Sequence, residues 1–181
     1  WSSDVCSSDL LYAEVSSLPI VSPHGHTDPS WFAGNDPFPD ATELLIKPDH
    51  YVFRMLYSQG IGLDRLGIGQ PASAADNRAV WRLFAEHYYL FRGTPSRMWL
   101  DTVFAEVFGL EQRLDGDTAD SYYDAIGELL ATEDYRPRQL FERFKIELLA
   151  TTESPLDSLA HHRAIEESDW RGRVITTYRP D

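Results

Sequence analysis

The sequence predicts an α/β fold in which a long helical segment separates the first strand from two later strands. Short apolar runs that are typical of strands occur at residues 19–22, 145–153 and 173–181. The separation of 29 positions between Lys145 and Val174 is enough for one strand–helix–strand unit with parallel strands. More than a hundred residues of mostly helical pattern lie between the first two runs. We therefore expect a helical subdomain inserted between the first two strands of an α/β core.

The composition is that of one globular domain of ordinary size. The 181 residues are 43% hydrophobic and 13% aromatic, which is sufficient for a packed core. No apolar run reaches the roughly 20 residues that a membrane span needs, and no secretory signal is visible. The net charge is −13 without a cluster of lysine or arginine, so neither nucleic acid nor membrane is an expected partner. We expect a cytoplasmic protein, and the single cysteine, Cys6, fits a reducing compartment.

The first ten residues, WSSDVCSSDL, match the translation of a widely used sequencing-library adapter. We interpret residues 1–10 as an artefact joined to the true reading frame and exclude them from fold reasoning. Residues 11–181 are then the natural sequence, and both of its ends are expected to be arbitrary.

The segment around the first strand combines a helix end, a strand and a loop. Residues 11–18, LYAEVSSL, are typical of the end of a helix, and Pro19–Ser22 of a short buried strand. The proline, glycine and aspartate content of Pro23–Pro39 predicts a loop.

The segment after this loop is predicted to be mainly helical. Asp40, with Glu43 three residues later, forms a capping box for the short helix ATELLI. Asp49 can cap the next helix, which Gly60 would end. Three longer amphipathic helices follow. The first, DNRAVWRLFAEHYYLFRG, has an expected apolar face of Val80, Leu83, Phe84, His87 and Phe91. The second, SRMWLDTVFAEVFG, has Trp99, Val103 and Val107 on its expected apolar face. The third, TADSYYDAIGELLA, has Tyr122, Ile126, Leu129 and Leu130.

The last part of the chain predicts a helix, a strand, a second helix and a final strand. A short helix is expected around Arg138–Phe144, and KIELLATTE is typical of a second buried strand. Ser154 would cap the next helix, with Pro155 at its first position and Asp157 at the capping-box position. RVITTYRPD is the predicted third strand.

The clearest chemical pattern is the pair His24 and His26 in PIVSPHGHTDPSWF, directly after the first predicted strand. Residues i and i+2 of an extended chain face the same side, so both imidazoles can point the same way. Two neutral imidazoles are good ligands for zinc and similar divalent ions, and they leave room for a carboxylate and a water. The alternative is a pair of loop histidines that bond to nearby backbone. The residues alone leave both interpretations open.

Polar side chains at a helix start and after the third strand are also candidates. His50 and Tyr51 begin a predicted helix, where polar side chains can face a ligand, although capping or packing explains them equally well. Arg179 and Asp181 follow the third predicted strand, where parallel sheets place functional side chains. An ordinary surface loop is the alternative for these two.

The remaining histidines favour structural interpretations. His161 and His162 are neighbours on a predicted helix, so their side chains point about 100° apart and cannot easily share a metal ion. We expect them on a solvated helix face. His87 lies on an apolar helix face and is expected to be a hydrogen-bonded core residue.

Four segments, PIVSPHGHTDP, PDHYVFRMLYSQGI, KIELLATTESPLDSLAHH and ITTYRPD, occur in the order and context found in uronate isomerases, and residues 18–181 resemble this family along nearly their whole length. The family belongs to the metal-dependent amidohydrolase superfamily. The resemblance implies the N-terminal part of a (β/α)8 TIM barrel, about three strands, within an incomplete barrel domain over residues 11–181. Residues 40–144 would form a mainly helical insertion between strands 1 and 2.

The resemblance also implies an activity and the residues that carry it. The activity is aldose–ketose isomerisation between D-glucuronate and D-fructuronate and between D-galacturonate and D-tagaturonate, by a homo-oligomer when intact. By position, His24 and His26 match metal ligands, with Zn²⁺ the expected ion. Tyr51 matches the catalytic residue proposed to help move the proton between sugar carbons, and His50 and Arg179 match positions that bind the substrate. A further aspartate ligand is expected from the last barrel strand, outside this chain.

Two alternatives remain. One is a metal-dependent hydrolase of the same superfamily, and the other is a helical interaction domain without enzymatic activity. The His-Tyr pair of PDHYVFR and the RPD that ends the third strand favour the isomerase over the hydrolase. Metal analysis discriminates the interaction domain, which predicts no zinc dependence. With about three of eight strands, this chain on its own is expected to be inactive and prone to aggregation through unpaired strand edges.

Overall fold

The computed structural model describes residues 7–69 and 76–178, which fold into two compact units. The first, here called the sheet unit, combines the chain up to Asp36 with the chain from Arg136 onward. The second, here called the helical unit, is Pro37–Tyr135. The strands all belong to the sheet unit within the described residues.

Apart from one helix within the predicted loop Pro23–Pro39, the longer elements follow the order that the sequence pattern predicts. Their bounds are α1 Ser7–Val15, β1 Ile20–Ser22, α2 Pro29–Gly34, α3 Ala41–Leu45, α4 His50–Tyr57, α5 Asn77–Glu86, α6 Pro95–Thr102, α7 Ala119–Leu130, α8 Pro137–Arg143, β2 Ile146–Glu153, α9 Ala160–Glu166 and β3 Val174–Tyr178. Short 3-10 turns cover Asp64–Leu66, Tyr88–Phe91 and Glu133–Tyr135, and a π-helical turn covers Val103–Val107. None of the helices in the described part of the chain is long and apolar enough to span a membrane.

β1, β2 and β3 form one parallel sheet with β2 in the centre. β2 and β3 are in continuous register from the pair Leu149 and Val174 to the pair Glu153 and Tyr178. Because α9 connects these two strands, the predicted strand–helix–strand unit with parallel strands is confirmed.

One face of the sheet is covered by α2, α8 and α9. Its core is a cluster of buried apolar side chains contributed by β2, β3 and these three helices. The members are Phe32, Phe141, Leu149, Ile165 and Val174. Trp170 extends the cluster by stacking on Phe32, with 5.6 Å between ring centroids and 7° between ring planes. This cluster packs the three helices against one face of the sheet. It does not include the last residues of the strands, which can therefore carry polar side chains.

Arg138 in α8 holds the end of α2. Its Nε donates to the carbonyl oxygen of Phe32 at 2.8 Å, and its Nη2 donates to that of Ala33 at 3.2 Å. Its backbone amide donates to the side-chain oxygen of Asn35 at 3.0 Å. The guanidinium also lies 5.2 Å from the centre of the Trp170 ring. These carbonyls lack partners inside the helix, so Arg138 satisfies them from outside.

The prediction that Pro19–Ser22 is a buried strand is wrong with respect to burial. β1 forms, but Ile20 is 50% exposed and Val21 is 56% exposed. β1 pairs with β2 along one edge only, and in the described part of the chain the buried cluster of the sheet unit draws on β2 and β3. An apolar run predicts a strand, but its burial depends on what packs over it.

The predicted continuous loop Pro23–Pro39 contains α2, so that prediction is wrong for its middle part. The Asp28 carboxylate accepts a hydrogen bond from the amide of Ser30 at 2.8 Å, and Pro29 occupies the first helical turn. Asn35 ends the helix with φ of 54°, in the left-handed region that asparagine tolerates. An aspartate cap followed by proline is a recognisable helix start, which the high proline and glycine content concealed.

The predicted helix start at Ser154 is also wrong. The expected local bonds form, since the Ser154 amide donates to Asp157 Oδ2 at 2.8 Å and the Asp157 amide donates to the Ser154 carbonyl at 3.0 Å. They close a turn that does not continue as a helix. α9 begins at Ala160, after Leu159 with φ of 54°. A left-handed residue interrupts the path between the turn and the helix.

Of the capping box predicted at Asp40, the aspartate half is confirmed, and the cap predicted at Asp49 is confirmed as well. The Asp40 carboxylate accepts hydrogen bonds from the amides of Thr42 and Glu43 at 2.8 and 3.0 Å. The Asp49 carboxylate accepts from the amide two residues later at 2.8 Å. Asp40 also accepts from the Asn77 side chain at 2.7 Å, which links the starts of α3 and α5.

The first long helix is shorter than predicted. α5 ends at Glu86 because His87, with φ of −102° and ψ of 8°, leaves the helical conformation. A 3-10 turn continues to Phe91, two residues before Gly93, where the predicted helix ends. The short turn still buries Tyr88 and Phe91, so the apolar face continues through the break.

The second long helix buries a different face from the predicted one. Leu100, Phe104 and Phe108 are buried, whereas Trp99 is 47% exposed. The buried residues recur every four positions, and the wider π turn that follows α6 keeps the last two on one side. The third long helix, α7, buries three of its four predicted residues, Tyr122, Ile126 and Leu130.

Aromatic rings fill the centre of the helical unit. Phe104 lies edge-to-face with Tyr122, at 5.4 Å between centroids and 89° between planes. It also contacts Trp81 and Tyr88, at 6.2 and 6.1 Å between centroids. The Trp81 indole N–H donates to a backbone carbonyl at 2.9 Å, so the buried polar group is satisfied.

Candidate active site

The carboxyl ends of three parallel strands meet at one edge of the sheet. Ser22 ends β1, Glu153 ends β2 and Tyr178 ends β3. His24 and His26 follow β1 directly. In parallel α/β sheets this edge is where functional side chains converge.

His24 and His26 are exposed neighbours in the loop after β1. Their ring centroids are 5.1 Å apart, and the ring planes are inclined by 84°. Two imidazoles this close form part of a donor set that suits zinc and similar ions. Among residues 7–69 and 76–178, no group of three or more histidine, cysteine, aspartate and glutamate side chains is arranged to hold a metal ion. The pair by itself is therefore not a complete metal site, and it remains a pair of candidate ligands.

The loop that carries these histidines is attached to the central strand. Thr152 Oγ1 donates a hydrogen bond to the carbonyl oxygen of Gly25 at 2.9 Å. The Gly25 Cα also runs close to β2, since a Cβ at this position would lie 3.4 Å from the carbonyl oxygen of Ala150. Thr152 therefore fixes the backbone between the two histidines.

His50 and Tyr51 occupy the first turn of α4 in the helical unit. Both side chains are exposed, and their ring centroids are 4.2 Å apart with 34° between planes. The amide of Tyr51 donates to the Asp49 cap, so the local backbone is fixed while both side chains face outward. The other predicted substrate residue, Arg179, lies outside the described residues.

The prediction of a solvated face for both His161 and His162 is wrong for His162. His161 is exposed, but only 12% of the His162 side chain is accessible. His162 Nε2 lies 2.8 Å from Thr151 Oγ1 and 3.8 Å from Glu153 Oε2. Glu153 Oε2 also accepts from Thr176 Oγ1 at 2.5 Å. Thr151, Glu153, His162 and Thr176 form a set that we call the strand-end network.

A cleft of about 350 Å³ opens beside the strand-end network. Glu153 and His162 line it together with Asp28, Asp157 and His161. Asp28 lies two residues after His26, so the cleft borders the loop of the candidate ligands. The lining is rich in carboxylates and imidazoles, which suits proton exchange and polar ligands.

Sequence reasoning did not single out Glu153 or Thr176 as site residues. The sequence did contain a signal for Glu153, because this residue ends a predicted buried strand, and a carboxylate at that position is unusual in an apolar run.

For His87 the prediction of a hydrogen-bonded residue is confirmed, since its Nδ1 lies 2.9 Å from the carbonyl oxygen of Leu83.

Comparison with known proteins identifies the family. Residues 3–181 match the family model described as glucuronate isomerase. The uronate isomerase of Rhizorhabdus wittichii is 66% identical over 171 residues, and that of Sphingopyxis alaskensis is 65% identical over 175 residues. Each match covers 94% of this chain and 36% or 37% of the relative. The chain thus spans little more than a third of the curated relatives that it matches.

Solved structures agree with the sequence matches. The crystal structure of glucuronate isomerase from Caulobacter crescentus superposes with a TM-score of 0.91 at 60% identity, and that of uronate isomerase from Thermotoga maritima with a TM-score of 0.85 at 28% identity. Both matches cover 96% of this chain and 37% of the other. The predicted fold class, the N-terminal part of a (β/α)8 barrel, is confirmed, and the alternative of a hydrolase is not favoured. This chain belongs to the glucuronate isomerase family, which is of the metal-dependent amidohydrolase type.

Proposed function

We propose that this chain contributes the N-terminal part of an aldose–ketose isomerase that interconverts D-glucuronate with D-fructuronate and D-galacturonate with D-tagaturonate. The observation that supports this most strongly is the adjacent pair His24 and His26 at the carboxyl edge of a parallel sheet, in a chain of the glucuronate isomerase family. A homo-oligomeric assembly and a cytoplasmic location are parts of the same proposal, and the acidic composition supports the latter.

His24 and His26 would hold a divalent metal ion, and zinc is the ion we expect. Two adjacent, exposed imidazoles suit this ion, and the other ligands would come from the part of the relatives that this chain does not span. A bound divalent ion supplies charge stabilisation for the sugar oxygens on which negative charge develops. Thr152 supports this role by fixing the Gly25 carbonyl between the two ligands.

Tyr51 would move the proton during isomerisation. The reaction removes a proton from C2 of the open-chain aldose and delivers a proton to C1, so the acid–base group is unchanged after one turnover. An exposed phenol at the start of a fixed helix, with His50 beside it, is suited to this exchange. Arg179 would bind the substrate carboxylate, because a guanidinium makes two parallel hydrogen bonds to it. His50 would also bind the substrate.

The test uses a full-length chimera in which residues 11–181 of this chain replace the matching segment of the Rhizorhabdus wittichii uronate isomerase. D-glucuronate turnover is measured for the chimera, for Tyr51→Phe and for Tyr57→Phe. Tyr57 is a matched control, since it is an exposed tyrosine on the same helix. We expect Tyr51→Phe to lower kcat roughly 10²- to 10⁴-fold, and Tyr57→Phe to leave it unchanged.

Two results would contradict the proposal in different ways. An unchanged kcat in Tyr51→Phe would show that this phenol does not move the proton. A folded chimera without turnover, next to an active intact relative, would show that this chain does not support uronate isomerisation.

A further inference from the structure

Residues 23–27, here called the histidine loop, run beside β2 after the backbone pairing of β1 has ended. The last pair of the β1 and β2 ladder is Ser22 with Leu149, although β2 continues beyond it. Gly25 and Thr152 are 127 positions apart, which is the same separation as in that last pair. The histidine loop therefore continues in the register of β1, although it is no longer part of a strand.

A side-chain hydrogen bond holds the histidine loop in this position. The half-buried Thr152 donates from Oγ1 to the carbonyl oxygen of Gly25 at 2.9 Å. A Cβ at Gly25 would lie 3.4 Å from the carbonyl oxygen of Ala150, so the loop backbone also lies directly against β2. The Thr152 hydroxyl thus links the two chains at a register position where the backbone ladder no longer does.

The histidine loop is anchored on its other side by α2. The amide of Ser30 donates to the Asp28 side chain at 2.8 Å, and the amide of Trp31 donates to the Asp28 carbonyl at 3.2 Å. Phe32, in the same helix, belongs to the buried cluster of the sheet unit. Between β1 and α2, Thr152 supplies a further hydrogen bond from the sheet. The two imidazoles extend from the residues on either side of this bond, with 5.1 Å between their ring centroids.

We propose that Thr152 is a positioning residue for metal binding: its bond to the loop backbone holds the imidazoles of His24 and His26 close together before a metal ion binds. The inference rests on the proposed function, in which these two histidines are ligands. Without the bond, the histidine loop has more conformational freedom to lose when the ion is bound, and this loss of entropy lowers the affinity. Thr152 acts on the ion through the loop and is not itself a ligand.

The test uses the full-length chimera with substitutions at two threonines of the sheet. Thr152→Val removes the hydroxyl with little change of shape, and Thr152→Ser keeps it. Thr177→Val is the matched control, because Thr177 is also half-buried and its Oγ1 donates to the carbonyl oxygen of Thr151 on the neighbouring strand at 3.0 Å. It removes a hydrogen bond of the same kind whose acceptor lies outside the histidine loop. His24→Ala and His26→Ala show whether the histidines bind the ion.

The zinc dissociation constant of the metal-free chimera is measured by titration in competition with a chelating dye. We expect Thr152→Val to raise this constant about tenfold, the equivalent of one neutral hydrogen bond near the upper end of its range. Thr152→Ser and Thr177→Val should keep the value of the unsubstituted chimera, and both histidine variants should raise it more than Thr152→Val does. Unfolded protein lowers the number of sites per chain and leaves the constant of the folded molecules unchanged, so damage to the fold is recognised separately.

Cobalt(II) in place of zinc reports on the ligand set. At saturating cobalt, the visible absorption spectrum of Thr152→Val should match that of the unsubstituted chimera, because both imidazoles still bind. His24→Ala should change the spectrum, because one ligand is lost. A changed spectrum in Thr152→Val would contradict a role in positioning alone.

If Thr152→Val keeps the zinc affinity while the histidine variants lose it, the bond is structural only and the inference is wrong, although the proposed function stands. A loss in Thr177→Val or in Thr152→Ser as large as that in Thr152→Val would also overturn it, because the effect would not then depend on this hydroxyl. If neither histidine variant weakens zinc binding, His24 and His26 are not ligands, and that part of the proposed function fails together with the inference.

Discussion

Substitution of Phe104, compared with substitution of Trp99, tests which face of the second long helix is buried. Its side chain is 2% exposed and contacts three aromatic rings, whereas Trp99, on the face that periodicity predicts, is 47% exposed. Removal of a buried phenylalanine side chain costs about 3–5 kcal/mol. Each favourable ring pair adds about 0.5–1.5 kcal/mol beyond burial, so we expect the upper part of that range for Phe104→Ala. For Trp99→Ala we expect less than about 1 kcal/mol.

Hydrogen exchange measured by mass spectrometry on the full-length chimera separates the two outcomes. Destabilisation by about 3 kcal/mol or more raises the opening population of the helical unit roughly a hundredfold or more, and exchange of its amides accelerates by the same factor. The amides to follow are those of α5, α6 and α7, which surround the Phe104 ring. Trp99→Ala should change these rates less than about tenfold.

The refuting result is a similar acceleration in both variants, or a larger one in Trp99→Ala. A similar acceleration would show that both faces are buried, and a larger one in Trp99→Ala would show that the buried face is the one predicted from periodicity. It would also remove the reason given for the π turn, since a helix that buries Trp99, Val103 and Val107 does not need it.

Two further predictions concern single side chains in the two units. Arg138→Met should destabilise the sheet unit by about 1.5–3 kcal/mol, because the carbonyls of Phe32 and Ala33 lose their donor. Faster hydrogen exchange of the backbone amides of α2 checks this prediction, and unchanged exchange rates would contradict it. Burial, with the nearby Asp40 carboxylate, raises the pKa of Tyr123 from 10.0 to about 12, so its contribution to stability is complete below pH 10 and is lost as the pH rises to about 12. Tyr123→Phe should therefore shift alkaline unfolding, followed by circular dichroism, to higher pH, and an identical midpoint would contradict the assignment.

The predictions that succeed depend on partners close in sequence. Asp40 and Asp49 cap helices by bonding to amides two or three residues away, and such patterns are visible in the residue types themselves. The spacing from Lys145 to Val174 predicts a parallel unit because few connections of that length are possible. The expectation of a helical insertion also came from the spacing of the predicted strands. The expectation of a barrel came from the resemblance to a family, since three strands alone do not distinguish a barrel from an open sheet.

The predictions that fail depend on partners far apart in sequence or on one backbone angle. Burial of β1 and of the face of α6 depends on what packs against each element, which apolar content does not reveal. At Ser154 the local pattern formed its expected bonds, yet Leu159 in the left-handed region delays the helix. The residue type at position 159 does not predict the left-handed conformation, because leucine seldom adopts it.

In the candidate site, too, the prediction that succeeds depends on residues close in sequence, and the one that fails depends on packing. His24 and His26 are two residues apart, so extended geometry alone predicts that their side chains are neighbours. His162 was expected to be solvated like its neighbour His161, but helix α9 turns it toward Thr151, eleven residues earlier in the chain. Its burial follows from the packing of a helix on a strand end, which sequence spacing does not specify.

β2 therefore has a larger part in the candidate site than its sequence suggests. It carries none of the candidate ligands, yet Thr152 holds the loop of His24 and His26, and Glu153 holds the end of β3. Adjacent residues of a strand face opposite sides, so these two contacts cannot compete for the same space. A change of one residue in the register of β2 would exchange the two faces and break both contacts at once. The geometry of the edge thus depends on the register of the central strand, and the buried pairing of Leu149 with Val174 stabilises that register.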